Sequence, residues 1–326
     1  MKTIIKVCLS VCISLLFVSC DEESISTPVA SVTVNQQEFS INETMVIHFT
    51  GVADQVSIYT GDNMHKYDLR TESNTGFVVN KGLFTYSYSV SGQYKVVCVA
   101  STYSDKAEEI RQDTCSFIVT VTDDVTEIDK LSCAQVLYDE VFAQKYPNDE
   151  WLMVLPRKVK YSTAAVAIPL TGQRLKFYIQ SDSTKVLING NPYVSATKYN
   201  LTNPVDIQVT SNYGTVRPYK LYTIYYPEFD TFKLNGVAGT VVRSEFDYSY
   251  FEIGVTLPTG TDVTNLVPEF SLFSPTDKVY IGDVEQISGS SAVDFTQNVS
   301  YRMVSTSPDN PDMQAESTIK VKVKNQ

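Results

Sequence analysis

The sequence predicts an all-β chain of three tandem β-sandwich domains, and three observations lead there. Tyr, Val, Thr, Ile and Phe dominate, with 21 Tyr and 15 Phe beside a single Trp in 326 residues, and these are strand-forming side chains. Short runs with an apolar residue at every second position recur between turn residues, and long helix-period stretches are nearly absent. Two stretches in the second half of the chain repeat each other at an offset of 93 to 94 residues, the size of one sandwich. A hydrophobic content of 43% is ample for packed cores. With 37 acidic against 26 basic residues the net charge is −11, which repels phosphate backbones and argues against nucleic-acid binding.

The chain opens Met1-Lys2-Thr3-Ile4-Ile5-Lys6 and runs into an apolar stretch from Val7 to Val18. Two lysines before a run of that length form the pattern of a secretory signal, too short for a membrane-spanning helix. The run closes Leu16-Phe17-Val18-Ser19-Cys20, which resembles the bacterial lipobox. The resemblance implies a signal peptide over 1–19 and a lipidated Cys20, whose acyl chains hold to a bilayer with about 0.8 kcal/mol per buried CH₂. Asp21-Glu22-Glu23 follow and resemble the surface-export signal of Bacteroidetes lipoproteins, which implies the outer face of the outer membrane. Residues 20–29 then form a lipidated tether.

The first domain spans 30–123. Val32-Thr33-Val34 opens it, Thr44 to Phe49 and Gln55 to Tyr59 alternate at period two, and Gly92 to Val96 and Phe117 to Val121 complete it. Ser91-Gly92-Gln93-Tyr94-Lys95-Val96 places a turn glycine before a tyrosine entering a late strand. With Phe49 to Gly51 and Ile58-Tyr59-Thr60-Gly61-Asp62, this resembles the PKD-type immunoglobulin-like (Ig-like) domain. Cys98 and Cys115 fall on consecutive strands and both suit the inner face; an exported protein allows a disulfide there, and two buried free thiols fit equally. Cys133 has no evident partner. Asp123-Asp124 reads as a solvated link, with calcium through oxygen ligands as the sharper alternative.

The repeat defines the second and third domains, 124–227 and 228–326. Phe177 lies eight residues before Lys185-Val186-Leu187-Ile188, and Phe270 eight before Lys278-Val279-Tyr280-Ile281. Leu201 matches Phe295, and Val166-Ala167-Ile168-Pro169 matches Val255-Thr256-Leu257-Pro258. Asn203 to Val209 with Tyr213-Gly214-Thr215-Val216, and Val255 to Leu266, resemble cadherin-like and Ig-like sandwich domains of Bacteroidetes lipoproteins. The resemblance implies a fold and a setting and carries no catalytic residues. Ser132 to Asn148 departs from the repeat; its weak amphipathicity predicts one short helix.

No catalytic constellation, metal site or cofactor motif emerges. His48 alternates within a strand, His65 sits in a loop, and neither has a second ligand at zinc spacing. Asp139-Glu140 and Asp149-Glu150 are pairs of the kind glycoside hydrolysis uses, though charged loop surface is the simpler reading. Aromatics are what remains. Tyr225 belongs to a cluster before the third domain; Tyr248 and Tyr250 share strand parity just inside it; Trp151 lies near a predicted loop. An exposed ring stacks on the C–H face of a sugar, so these four are the glycan-binding candidates. The expected function is a non-catalytic surface lipoprotein that binds a polysaccharide or oligosaccharide beside the transporter proteins of an outer-membrane glycan-uptake system. The alternative is a structural or adhesive surface protein whose Ig-like domains act as spacers or protein-binding modules.

Overall fold

The computed structural model describes residues 25–80, 82–104, 108–136, 139–161, 164–244 and 246–325. The predicted leader, Cys20 and Asp21, Glu22 and Glu23 lie outside the described residues. The protein is all-β, built as tandem sandwiches, with one 3₁₀ turn at Tyr67–Leu69 as its helical element among the described residues. It divides into two compact units, Met1–Thr122 and Asp123–Gln326.

The first unit has a three-stranded sheet, Val32–Val34, Met45–Phe49 and Leu83–Tyr86, in which Met45–Phe49 is central. Its five-stranded sheet runs Glu38–Ser40, Ile110–Thr122, Gly92–Tyr103, Gln55–Tyr59, Phe77–Val79. Alternation sorts the faces. Met45 and Ile47 from one sheet and Val56, Ile58, Val96, Cys98 and Ala100 from the other are buried. Tyr94 of the Gly-x-Tyr motif stacks on buried Tyr88 with ring centroids 4.2 Å apart, and its hydroxyl donates to the Val90 carbonyl at 2.7 Å. The motif therefore pins the entry of the Gly92–Tyr103 strand.

Cys98 and Cys115 sit directly opposite each other in the Gly92–Tyr103/Ile110–Thr122 hairpin. Both are free thiols. Burial pushes the Cys98 thiol up to about 12, so little reactive thiolate forms near neutral pH.

The second unit holds two cores. One gathers Leu131, Trp151, Leu155, Leu175, Ile207 and Leu221, the other Phe232, Ile253, Leu257, Val279, Tyr301 and Ile319. Each is backed by a six-stranded sheet of the same order. The first runs Gln144–Tyr146, Glu150–Leu155, Val216–Tyr225, Val205–Thr210, Lys185–Ile188, Asn191–Pro192; the second runs Thr240–Arg243, Tyr250–Leu257, Gln314–Asn325, Val299–Thr306, Lys278–Ile281, Val284–Glu285. In both, the second and third strands pair in parallel and the other neighbours antiparallel. The sequence repeat thus appears as a repeat of strand order. Asn189-Gly190 joins its hairpin with φ of 48° and 78°, the left-handed pair a two-residue turn requires.

Two expectations are corrected. The stretch predicted to carry a short helix forms the strands Lys130–Val136, Asp139–Phe142 and Gln144–Tyr146. Its apolar residues Cys133 and Val136 are buried, and hydrogen-bonding neighbours flank the first of these strands on both sides, so a helix would forfeit two ladders. Asp123 is not solvated: it is 3% exposed and accepts a hydrogen bond from the Ser181 hydroxyl, while Asp124 accepts from Ser211 Oγ at 2.6 Å. Both carboxylates are engaged by hydroxyls, Asp124 at an exposed position.

Tyr301 is fully buried against Phe229 and Phe232, and its hydroxyl has no partner among the described residues. An unpaired buried hydroxyl costs about 1–3 kcal/mol. Tyr301→Phe keeps the ring packing, so a gain of about 1 kcal/mol is expected in urea denaturation. A lower midpoint would show the hydroxyl to be satisfied in solution.

Candidate functional site

The four predicted ring candidates have different fates. Tyr225 stacks on the Arg157 guanidinium, 4.5 Å from its ring centroid, and donates its hydroxyl to the Ile168 carbonyl at 2.8 Å. Arg157 also lies over the ring of Phe273 of the following sandwich, again at 4.5 Å. Tyr248 packs against the first core of this unit and donates its hydroxyl to Asp139. It lies outside the strand Tyr250–Leu257, in a turn that Asp247 closes by accepting from Ser249 N at 2.9 Å. That turn removes the strand parity expected between Tyr248 and Tyr250. Tyr225 and Tyr248 therefore join the two sandwiches of the second unit. Leu152, Tyr222 and Ile224 packed on Met313 and Ala315 add an apolar seam to the same junction.

Trp151 lies within the strand Glu150–Leu155, not in a loop, and is 2% exposed. Its side chain belongs to the core, because the strand alternation turns it inward. It lines the floor of a shallow recess with Phe142, Ala143, Lys130 and Lys145, but offers no open ring face. Tyr250 is half-buried on the outer face of the last six-stranded sheet, its hydroxyl 2.9 Å from Glu252 Oε1.

The paired carboxylates are engaged as well. Asp149 takes two bonds from Arg217, at 2.9 and 2.7 Å. Glu150 accepts from the Tyr222 hydroxyl at 3.1 Å and from Asn310 Nδ2 at 3.3 Å. Glu140 accepts from Ser132 and Tyr178, and these hydrogen bonds hold its carboxyl below the usual range. For Glu140 that lowering is the opposite of the raised pKa that a general acid needs near neutral pH. His65 sits with Nδ1 2.8 Å from the Thr75 carbonyl and its ring on Phe77, and His48 is an exposed strand residue.

A better-formed recess occurs in the first unit. Val56 and Ile58 turn inward, so Gln55, Ser57 and Tyr59 turn outward. The neighbouring strand brings Ser101 opposite Gln55 and Val99 opposite Ser57; beyond it Gln112 stands opposite Ser101. Two side-chain bonds order this row: the Tyr103 hydroxyl donates to Gln55 Oε1 at 2.7 Å, and Gln112 Nε2 donates to Ser101 Oγ at 3.1 Å.

The segment between the Gln55–Tyr59 and Phe77–Val79 strands folds over one side. Gly61 N donates to the His65 carbonyl at 3.0 Å, Lys66 N to Asn74 Oδ1 at 3.0 Å, and Thr75 N to the Met64 carbonyl at 3.0 Å. The turn so fixed places Tyr67 edge-on to Tyr59 at 5.2 Å, with Arg70 4.1 Å over the Tyr67 ring. The result is a cavity of about 210 Å³ floored by Val99 and Ser101 and walled by amides, hydroxyls and tyrosine rings. Gly76 is required there, since a Cβ at that position would lie 2.8 Å from the Tyr59 ring.

Sequence reasoning missed this recess. Gln55-Val56-Ser57-Ile58-Tyr59 was legible as a strand, and its outward residues are two polar groups and a ring. Their partners Tyr67, Arg70, Ser101 and Gln112 lie 8 to 57 residues away, and only the covering turn and the sheet register unite them.

Fold and recess together define a tandem β-sandwich protein with a ring- and amide-lined surface cavity. The family described as SGBP, N-terminal, matches residues 229–323, the last sandwich. No curated protein matches the chain. Among solved structures, a protein from Bacteroides thetaiotaomicron described as a glycoside hydrolase is 21% identical over 31% of this chain, with a TM-score of 0.23. The match spans 25% of that protein's length. The I67–I69 fragment of titin is 12% identical over 93% of this chain and 100% of its own, TM-score 0.23. Mouse cadherin-23 EC22–24 is 8% identical over 91% of this chain and 100% of its own, TM-score 0.18. These likenesses are too low to bear on function.

Proposed function

We propose that this chain is a non-catalytic surface lipoprotein that binds glycan beside an outer-membrane glycan-uptake system. The observation that carries the reading is the match of residues 229–323 to the SGBP, N-terminal, family, whose initials stand for surface glycan-binding protein. The engagement of the acidic pairs by arginine, tyrosine, serine and asparagine supports binding over hydrolysis. In this reading Cys20 carries the lipid, Asp21, Glu22 and Glu23 direct display, and the sandwiches hold the binding surface away from the membrane, within reach of transporter proteins.

Affinity electrophoresis of the chain from Asp21 onward tests the binding. Mobility should fall in gels containing at least one plant or host polysaccharide and stay unchanged in plain gels. Unchanged mobility across the whole panel would remove the reading. Palmitate labelling of cells tests the anchor: the wild-type chain should take up label and Cys20→Ala should not.

A further inference from the structure

The recess of the first unit has the chemistry of a sugar site, and we infer that it binds a neutral pyranose unit of the glycan. The inference rests on the glycan-binding reading and adds the place and the ligand class.

Three features carry it. First, the recess is preorganised. Gln55 Oε1 is held by the Tyr103 hydroxyl and Gln112 Nε2 by Ser101 Oγ, so each amide is fixed by one end. Gln55 Nε2 and Gln112 Oε1 have no partner among the described residues, leaving one donor and one acceptor at the rim. A vicinal diol presents both complements, since each hydroxyl donates and accepts. Fixed planar amides lose little side-chain freedom on binding, which favours affinity.

Second, the recess offers rings and polar groups together: Tyr59 and Tyr67 meet edge-on, and Gln55, Ser101, Tyr103 and Gln112 supply amides and hydroxyls. A pyranose has both complements, an apolar C–H face and a hydroxyl perimeter.

Third, the charge suits a neutral ligand. Among the described residues Arg70 is the one charged residue lining the recess, and its guanidinium lies over the Tyr67 ring with Nη1 3.1 Å from the Tyr67 carbonyl. A single guanidinium so engaged draws a polyanion in weakly, and a net charge of −11 repels one at distance.

The test uses the full chain from Asp21 with neutral matrices (xylan, mixed-linkage β-glucan, galactomannan) and acidic ones (polygalacturonate, chondroitin sulfate). Retention on a neutral matrix is expected. Gln112→Ala, an exposed position, should weaken it about tenfold, the loss expected for one ligand hydrogen bond. Gly76→Ala, which displaces the Tyr59 ring without touching ligand, should weaken it as well. In wild-type protein, soluble oligosaccharide from the retained matrix should slow hydrogen exchange in 55–59 and 99–103. Neutral retention that neither variant alters, with protection only elsewhere, would overturn the recess as the site and leave the glycan-binding reading standing. Retention on acidic matrices alone would overturn the ligand class. No retention on any matrix would remove both.

Discussion

Replacing Gly61 with alanine should lower the unfolding temperature of the first unit by roughly 10 °C or more, at about 4–8 °C per kcal/mol for a domain of this size. Gly61 holds φ at +85°, where a side chain meets its own backbone, at a cost of about 1–3 kcal/mol. The added methyl also has nowhere to go. A Cβ there lies 2.6 Å from the Lys95 carbonyl oxygen and 2.9 Å from the Lys95 amide nitrogen, both backbone atoms of a central strand. Relief requires moving either that strand or the covering segment that Gly61 starts through its bond to His65. Differential scanning calorimetry should therefore show the transition of the first unit moving while that of the second stays in place. A shift of about 2 °C or less would mean that this segment relaxes freely, and the account of how Tyr67 and Arg70 are positioned would fall with it.

The second large effect belongs to the last sandwich. Glu228 is 3% exposed and pairs with Arg243 beneath the junction. Replacing a single member of a buried pair leaves an uncompensated charge and costs about 3–5 kcal/mol. Arg243→Met is expected to fall in that range at neutral pH, and pH provides the signature. Burial raises the Glu228 carboxyl above its ordinary value of 4.5 even with Arg243 beside it. A carboxyl with a raised folded pKa binds its proton more tightly in the native state. Its contribution is therefore fullest below 4.5 and declines as pH climbs through the folded value. Without Arg243 the largest opposition to desolvation is lost, leaving Arg157 and Lys158, and that decline steepens. Urea midpoints of wild type and variant should lie closest near about pH 5 and separate as pH rises toward about 8. A deficit independent of pH would mean that lost packing of the arginine stem, not the stranded carboxylate, is responsible.

Much of the fold was legible because alternation is a local property. Thr44 to Phe49 and Gln55 to Tyr59 declare their inward faces with no knowledge of their partners, and the 93-residue offset between Lys185 and Lys278 reflects a shared strand order. What failed was local patterning whose meaning depends on distant chain. Ser132 to Asn148 reads as weakly amphipathic, yet strands from residues 139 and 171 onward claim both edges of the strand Lys130–Val136 where it begins. The ring candidates failed for a related reason. A tyrosine in a strand has the same appearance whether it faces water or a neighbouring sandwich, and the arginine that stacks on Tyr225 lies 68 residues earlier. Trp151 was placed by its nearness to a predicted loop, but strand parity, not distance from a loop, decides where a side chain points. The recess needed register across three strands, which no single segment encodes.

The parallel pairings of the second unit bear on how the protein is made. Tyr250–Leu257 finds its neighbour in Gln314–Asn325, with Tyr250 beside Thr318, so the sheet cannot close until more than sixty residues have followed. Glu150–Leu155 waits similarly for Val216–Tyr225. Closing such long loops before any reward from burial slows folding. A nascent polypeptide still emerging from the ribosome lacks the strand that completes each sheet, so neither sheet can close until that late strand has been made.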